Sequence, residues 1–249
     1  MVDGGGAGAV LTVIRTVAET GSTNADMLAL ARSGVDEGLW LRAERQTEGR
    51  GRQGRGWVSP GGNFYASTVV RLRPTDPPAA TLALVAAVAL EEVVRLLIPG
   101  RHDGGRVRLK WPNDLLIDGA KSSGILLERA DDAVVIGFGV NIAHHPDLAD
   151  RATTSLAEHG VAITPADFAA RLAEMFAAWL HLWRGEGLAP VRARWIDRAH
   201  PSGTLLTTRL PDGATVDGAF EELDQHGALI LRLADGGRRV IHAGDVFLL

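Results

Sequence analysis

The sequence predicts a mixed α/β domain followed by a small all-β module, and three observations carry that prediction. Apolar runs of strand length alternate with helical patterns from residue 11 to residue 199. Asp118-Gly119 falls between two apolar runs, which is a tight-hairpin signal. From Pro201 onward five short strand patterns follow one another, divided by Asp212-Gly213, His226-Gly227 and Gly236-Gly237. Close spacing with repeated turn signals suggests a small β-barrel, so a boundary is drawn near 200–203.

The elements are expected in this order. Leu11–Val17 reads as a short strand. At 21–26 the sequence GSTNAD reads as a helix start, with a small hydroxyl to cap the first N–H groups and an acid in the first turn. That helix should run to about Ala31 and stop near Gly34. Leu39–Ala43 is a strand, residues 49–56 are a loop rich in glycine and arginine, and Asn63–Leu72 alternates as a strand. Ala79–Ile98 is apolar nearly all round, as suits a helix buried across a sheet. Strands are expected at 107–111, 113–117, 120–128 and 133–142, and helices at 165–184 and 188–199. A two-residue turn would pair Ile117 with Ala120, Leu116 with Lys121 and Asp114 with Ser123, putting Asp114 and Lys121 on one sheet face. The module's strands are expected at 204–210, 214–222, 228–233, 238–242 and 245–249.

Composition narrows the function. With 249 residues, 46% hydrophobic and 22% charged, the chain has a globular balance. No cysteine is present, which excludes disulfides, Cys-based zinc sites and thiol catalysis. A net charge of −4 argues against a protein that coats nucleic acid. The apolar run Leu82–Leu90 falls far short of the roughly 18 residues of a membrane span. The glycine-rich start at Gly4, Gly5, Gly6 and Gly8 lacks the pattern of a signal peptide. A soluble, cytoplasmic protein with no membrane contact is therefore expected.

Only Lys110 and Lys121 are lysine among 26 basic residues, and both fall near Asn113, one of four asparagines. In a chain that uses arginine elsewhere, lysine marks places where a compact ammonium is needed. Residues 49–54 match G-x-G-x-x-G, but Trp57-Val58-Ser59-Pro60 cannot supply the helix that a dinucleotide fingerprint requires. No P-loop is present. The loop with Arg50, Arg52 and Arg55 reads as a solvated basic loop, an RGG-like nucleic-acid segment, or a loop closing over a phosphate ligand. The last is preferred, because glycine frees the backbone to wrap an anion and guanidinium forks can bind it. Lys110-Trp111-Pro112-Asn113-Asp114 is a dense polar cluster at a strand end, readable also as a local turn. In GFGVN at 137–141 the glycines permit close backbone approach beside the amide of Asn141. No Ser-His-Asp set with an elbow can be assembled, and His144-His145 lacks a spaced third metal ligand.

Taken together these segments resemble the biotin protein ligase family. The resemblance rests on TGSTN at 20–24, QTEGRGRQGRGW at 46–57, GNFYAS at 62–67, KWPNDLL at 110–116, GAKSSGILLE at 119–128 and GFGVN at 137–141. It implies a mixed-sheet α/β ligase catalytic domain over 1–200 and an SH3-like β-barrel over 201–249. It also implies a two-step reaction. Biotin and ATP give biotinyl-5′-AMP and pyrophosphate, and a lysine of a biotin carboxyl carrier domain then takes the biotinyl group.

Carried over residue by residue, Lys121 and Arg52 are the catalytic pair. Ser22, Thr23, Gln46, Arg50, Lys121 and Gly124 line the biotin site. Arg50, Arg52, Arg55, Trp57, Lys110, Trp111, Asn113, Asp114 and Asn141 face the adenylate, with Asp114 toward Mg²⁺-bridged phosphates. The acceptors implied are acyl-CoA carboxylases or pyruvate carboxylase, and the protein is expected as a monomer or weak homodimer. About twenty residues precede Gly21, too few for the DNA-binding helix-turn-helix of some members, so no DNA partner is expected. Ser122 stands where the family usually has an apolar residue. A lipoate or octanoate ligase on the same fold, or a non-catalytic nucleic-acid-binding protein using the arginine loop, are the alternative readings.

Overall fold

The computed structural model of the protein describes residues 12–100 and 105–248. The glycine-rich start and Leu11, the first residue of the first expected strand, lie outside the described residues. Strands β1 (Val13–Thr20), β2 (Leu39–Gln46), β3 (Phe64–Arg71), β4 (Val107–Lys110), β5 (Asp114–Ile117), β6 (Ala120–Ala130) and β7 (Ala133–Val140) build one sheet. Their order is β1-β2-β3-β7-β6-β5-β4, with β1 and β2 parallel and every other pair antiparallel.

Alternation along the strands sorts residues to the two faces. Trp40, Val70, Val134 and Ile136 join the large core, while their neighbours Leu41, Val69 and Val135 join a smaller one. Helix α1 (Thr23–Arg32) covers the smaller core through Met27, Leu28 and Ala31. On the other face lie α2 (Leu82–Leu97), α3 (Pro165–Glu186) and α4 (Leu188–Arg198). The all-round apolar pattern of α2 is explained by its position, since it contacts β4, β5 and β6 as well as α3 and α4. The expected helix at 79–98 is shortened at its start, where Ala79–Thr81 makes a separate 3-10 turn before α2 begins at Leu82.

The second sheet contains β8 (Leu205–Arg209), β9 (Thr215–Leu223), β10 (Leu229–Arg232), β11 (Arg238–Ile241) and β12 (Asp245–Leu248). It is antiparallel in the order β11-β10-β9-β8-β12. Apolar packing runs on from the first sheet, with the Trp195 ring of α4 set 6.4 Å from that of Phe220 on β9. Among the described residues, no helix is long and apolar enough to cross a membrane.

One expected register is corrected. Ile117 pairs with Ala120 and Leu116 with Lys121, through a turn whose Asp118 and Gly119 both have positive φ. Asp114, however, pairs with Gly124 rather than Ser123, because the ladder shifts between Leu115 and Leu116. The extra residue on β6 is Ser122. The backbone of Lys121 is drawn to another segment: its N–H donates to the Ala152 carbonyl (2.9 Å), and its carbonyl accepts from the Thr154 N–H (3.0 Å).

A candidate active site where three cavities meet

The first cavity lies against the sheet. Its floor begins with Ser22, Thr23 and Asn24 at the start of α1, all buried. Ser22 stands at the helix N-cap, but its hydroxyl makes no capping bond. The capping expectation is corrected here, because Gln46 on β2 supplies the acceptor: its Oε1 takes the Thr23 N–H at 2.8 Å and the Thr23 hydroxyl at 3.1 Å. Gln46 is itself oriented by donating to Ser59 (3.0 Å). The Ser67 hydroxyl stands 2.8 Å from Thr23 Oγ1 and 2.6 Å from Asn24 Oδ1, and Asn24 donates to Glu128 (2.8 Å). The polar rim is thus fixed before any ligand arrives.

Glycines shape the opposite wall. A Cβ on Gly137 would stand 2.1 Å from Asn24 Oδ1, so only glycine fits there. Gly124 and Gly139 are cross-strand partners on β6 and β7, and the Trp57 indole lies over both. A Cβ on Gly139 would come within 2.6 Å of that ring. Lys121 Nζ lies 5.5 Å from the centroid of the same ring, a cation–π approach.

The second cavity is polar. Arg52, Arg55, Lys110, Lys121 and Arg151 line it against only Asp114 and Asp245, an excess of three positive charges. Lys121 Nζ is 2.5 Å from one oxygen of Asp114, and Lys110 Nζ is 3.1 Å from the other. Burial opposes the Asp114 charge, but the two ammoniums outweigh it and hold the carboxyl below its usual range. Burial likewise pushes the Lys121 ammonium below its usual value, against the pull of Asp114. Burial also lowers Arg52, which nonetheless donates to Asn113 Oδ1 and to the Gly244 carbonyl, both at 3.3 Å. Trp111 forms part of this wall and donates its indole N–H to the Gly227 carbonyl (3.2 Å).

A third cavity lies across the Gly-Arg loop. Trp57, Val58, Pro146 and Leu148 make it largely apolar, and Asn141 sits at its inner end. Asn141 donates to the Thr154 carbonyl (3.1 Å), while its buried Oδ1 has no partner, an acceptor waiting for a donor. Among the described residues Lys121 alone lines all three cavities.

The structure therefore brings together the residues singled out in the sequence. Ser22, Thr23, Gln46, Arg50, Gly124 and Lys121 line the first cavity. Arg52, Arg55, Lys110, Trp111, Asn113 and Asp114 line the second, and Trp57 and Asn141 the third. The close approach expected at the glycines of GFGVN is seen at Gly137, against Asn24, and at Gly139, against Trp57. Asn24 lies within TGSTN without being marked as a lining residue, and nothing in the sequence marks Arg151 or Asp245.

The expected approach of Asp114 to Mg²⁺ meets a difficulty, since both of its oxygens already face ammonium groups. Among the described residues no group of three His, Asp or Glu could hold a metal ion. The donors present do not fit a resident Mg²⁺, so any such ion belongs with the phosphates of a substrate nucleotide.

A cleft with a polar rim, a cationic cleft and a largely apolar cleft thus share one lysine. The chain matches the Biotin/lipoate A/B protein ligase family over residues 19–141 and the Biotin protein ligase C terminal domain over residues 207–249. It is 40% identical to the biotin–[acetyl-CoA-carboxylase] ligase of Paracoccus denitrificans, across 93% of this chain and 98% of that one. It is 39% identical to the ligase of the same name from Mycobacterium tuberculosis, across 97% and 91%. The chain belongs to the biotin protein ligase family. Its fold is that of the biotin protein ligase from Aquifex aeolicus solved with biotin and ATP, with a TM-score of 0.82 at 22% identity, covering 95% of this chain and 98% of that one.

Proposed function

We propose that the protein activates biotin with ATP and transfers the biotinyl group to a lysine on the carrier domain of acetyl-CoA carboxylase. The observation that carries the reading is the position of Lys121, the one side chain shared by all three cavities.

In the first step a carboxylate oxygen of biotin attacks the α-phosphorus of ATP. An O–P bond forms, the bond to the bridging oxygen breaks, and pyrophosphate leaves. Two anions must approach, so positive charge on the reaction axis lowers the barrier. Lys121 would supply that charge, with Arg52 beside it. Ser22, Thr23, Gln46, Arg50 and Gly124 would hold the biotin end. Trp57 and Asn141 would take the base, and Asn141 Oδ1 would accept from it. Arg55, Lys110, Trp111, Asn113 and Asp114 would surround the phosphates, which bring Mg²⁺ with them. In the second step the acceptor amine attacks the acyl carbon, AMP leaves, and the amine gives up a proton. Closure of the Gly-Arg loop keeps the reactive adenylate from water.

Other biotin-dependent carboxylases, pyruvate carboxylase among them, are proposed as further acceptors through the same carrier chemistry. Action in the cytoplasm is proposed on the composition of the chain, and a monomer or weak homodimer on the family resemblance.

The test is ATP–pyrophosphate exchange driven by biotin, lipoate or octanoate, with the native protein and Lys121→Ala. Exchange with biotin only, lost in the variant, is the expected result. Exchange with lipoate or octanoate instead would move the protein to the sister activity.

A further inference from the structure

Arg151 belongs to none of the motifs that identify the family, yet it lines both the cationic and the apolar cavity. Among the described residues only Lys121 and Arg55 share that position with it. The segment that carries Arg151 is tied to the backbone of Lys121. Ala152 accepts the Lys121 N–H, Thr154 donates to the Lys121 carbonyl, and Thr153 bridges Lys121 in parallel. The Thr153 side chain is further held by His145 (3.0 Å). Arg151 thus starts from a backbone anchored beside the central lysine, whereas Arg52 and Arg55 reach the same space from the Gly-Arg loop.

Within the protein both carboxylate oxygens of Asp150, its neighbour in sequence, accept from Nε and Nη2 of the Arg151 guanidinium (2.5–3.2 Å), and Nη1 has no hydrogen-bond partner among the described residues. That nitrogen is left to donate to an anion in the cavity, and a polyphosphate offers one. Asp114 and Asp245 also draw positive charge toward this space, but five cations outnumber them.

We infer that Arg151 is a substrate-binding residue for the phosphates beyond the reacting one, the group that leaves as pyrophosphate. The inference rests on the proposed function and adds to it a residue outside the motifs that carry the family resemblance. Its position predicts a specific kinetic pattern. Arg151 should hold the nucleotide and its leaving group and leave biotin untouched.

The experiment is steady-state biotin-dependent ATP–pyrophosphate exchange with the native protein, Arg151→Ala and Arg151→Lys. In Arg151→Ala the KM for ATP and the KM for pyrophosphate are each expected to rise about tenfold, the loss of one charge-assisted contact. The KM for biotin should stay within about twofold, and Arg151→Lys should recover part of the loss, as a point charge without the fork does. Unchanged KM values for ATP and pyrophosphate would overturn the inference. So would a parallel rise in the KM for biotin, since that pattern reports a disturbed backbone at Lys121 rather than a lost phosphate contact. A native protein without biotin-dependent exchange would instead overturn the proposed function, so the two failures are distinguishable.

Discussion

Arg55 Nη2 lies 2.9 and 2.8 Å from the two carboxylate oxygens of Asp245, joining the Gly-Arg loop to the first residue of β12. Arg52 reinforces the junction through the neighbouring Gly244 carbonyl. The loop also closes on itself, by a bond from the Gly51 N–H to the Arg55 carbonyl (2.7 Å) and a bridge between Arg50 and Gly56. The C-terminal sheet is therefore a wall of the cationic cavity rather than a remote appendage, with Lys110 donating to the Val246 carbonyl (2.9 Å) as a further tie.

Asp245→Ala should loosen that wall. The Gly-Arg loop offers trypsin three arginines, and cleavage there is expected to quicken severalfold in the variant. The KM for ATP should rise about three- to tenfold, the loss of a partly buried ion pair. Digestion and kinetics matching the native protein would show that the contact does not hold the loop.

Gly137→Ala should damage the first cavity. Asn24 is fixed by Ser67 and Glu128 and cannot step aside from a Cβ placed 2.1 Å from its oxygen. Overpacking of this kind costs about 1–3 kcal/mol, and biotin affinity should fall at least about tenfold because the rim moves. Thermal unfolding and calorimetric titration with biotin check the two effects separately. Native affinity in the variant would place the ligand elsewhere.

Lys121→Ala should change acid stability as well as activity. Asp114 is held below its usual value, so its contribution to stability is present above the unfolded carboxylate value and fades as pH falls through the folded one. Removing Lys121 leaves the buried carboxylate with Lys110 alone, and its folded value rises. The acid-unfolding midpoint is therefore expected to move to higher pH, with about 3 kcal/mol lost at neutral pH, the scale for a broken buried pair. Circular dichroism against pH measures this; an unmoved midpoint would mean the pair adds nothing to the fold.

Glu91 on α2 gives the opposite sign. It is fully buried, its oxygens lack hydrogen-bond partners, and Arg95 and Arg198 stand 3.4 and 3.8 Å away. Burial pushes its carboxyl up to about 7, against the pull of Arg198, Arg95 and Arg194 and with a small push from Glu92. The folded state then holds this proton more tightly than the unfolded chain, so stability falls as pH rises from about 4.5 to 7. The loss is about 3 kcal/mol at most. In Glu91→Gln that component disappears. Urea unfolding at pH 5 and pH 8 should show a smaller decline in the variant than in the native protein, and equal declines would contradict the assignment.

Much of this protein was determined by its sequence alone. Strand alternation, the apolar surround of α2, the Asp118-Gly119 turn and the turn spacing after Pro201 are local patterns, and local backbone preference answers to them directly. The two lysines and the glycine-arginine loop were equally plain, because a compact cation and a free backbone are unusual demands in a chain that otherwise uses arginine. Tertiary structure decided the rest. At the shifted register beside Ser122, the backbone of Lys121 bonds to residues 152–154 and the Ser122 carbonyl to Asn141, and no pattern within β6 encodes those partners. The pairing of Arg55 with Asp245, and the arrival of Arg151 beside Lys121, join distant parts of the chain. Periodicity tells which way a side chain points, but which charges meet depends on how separate elements pack, and that is settled only when the whole core has formed.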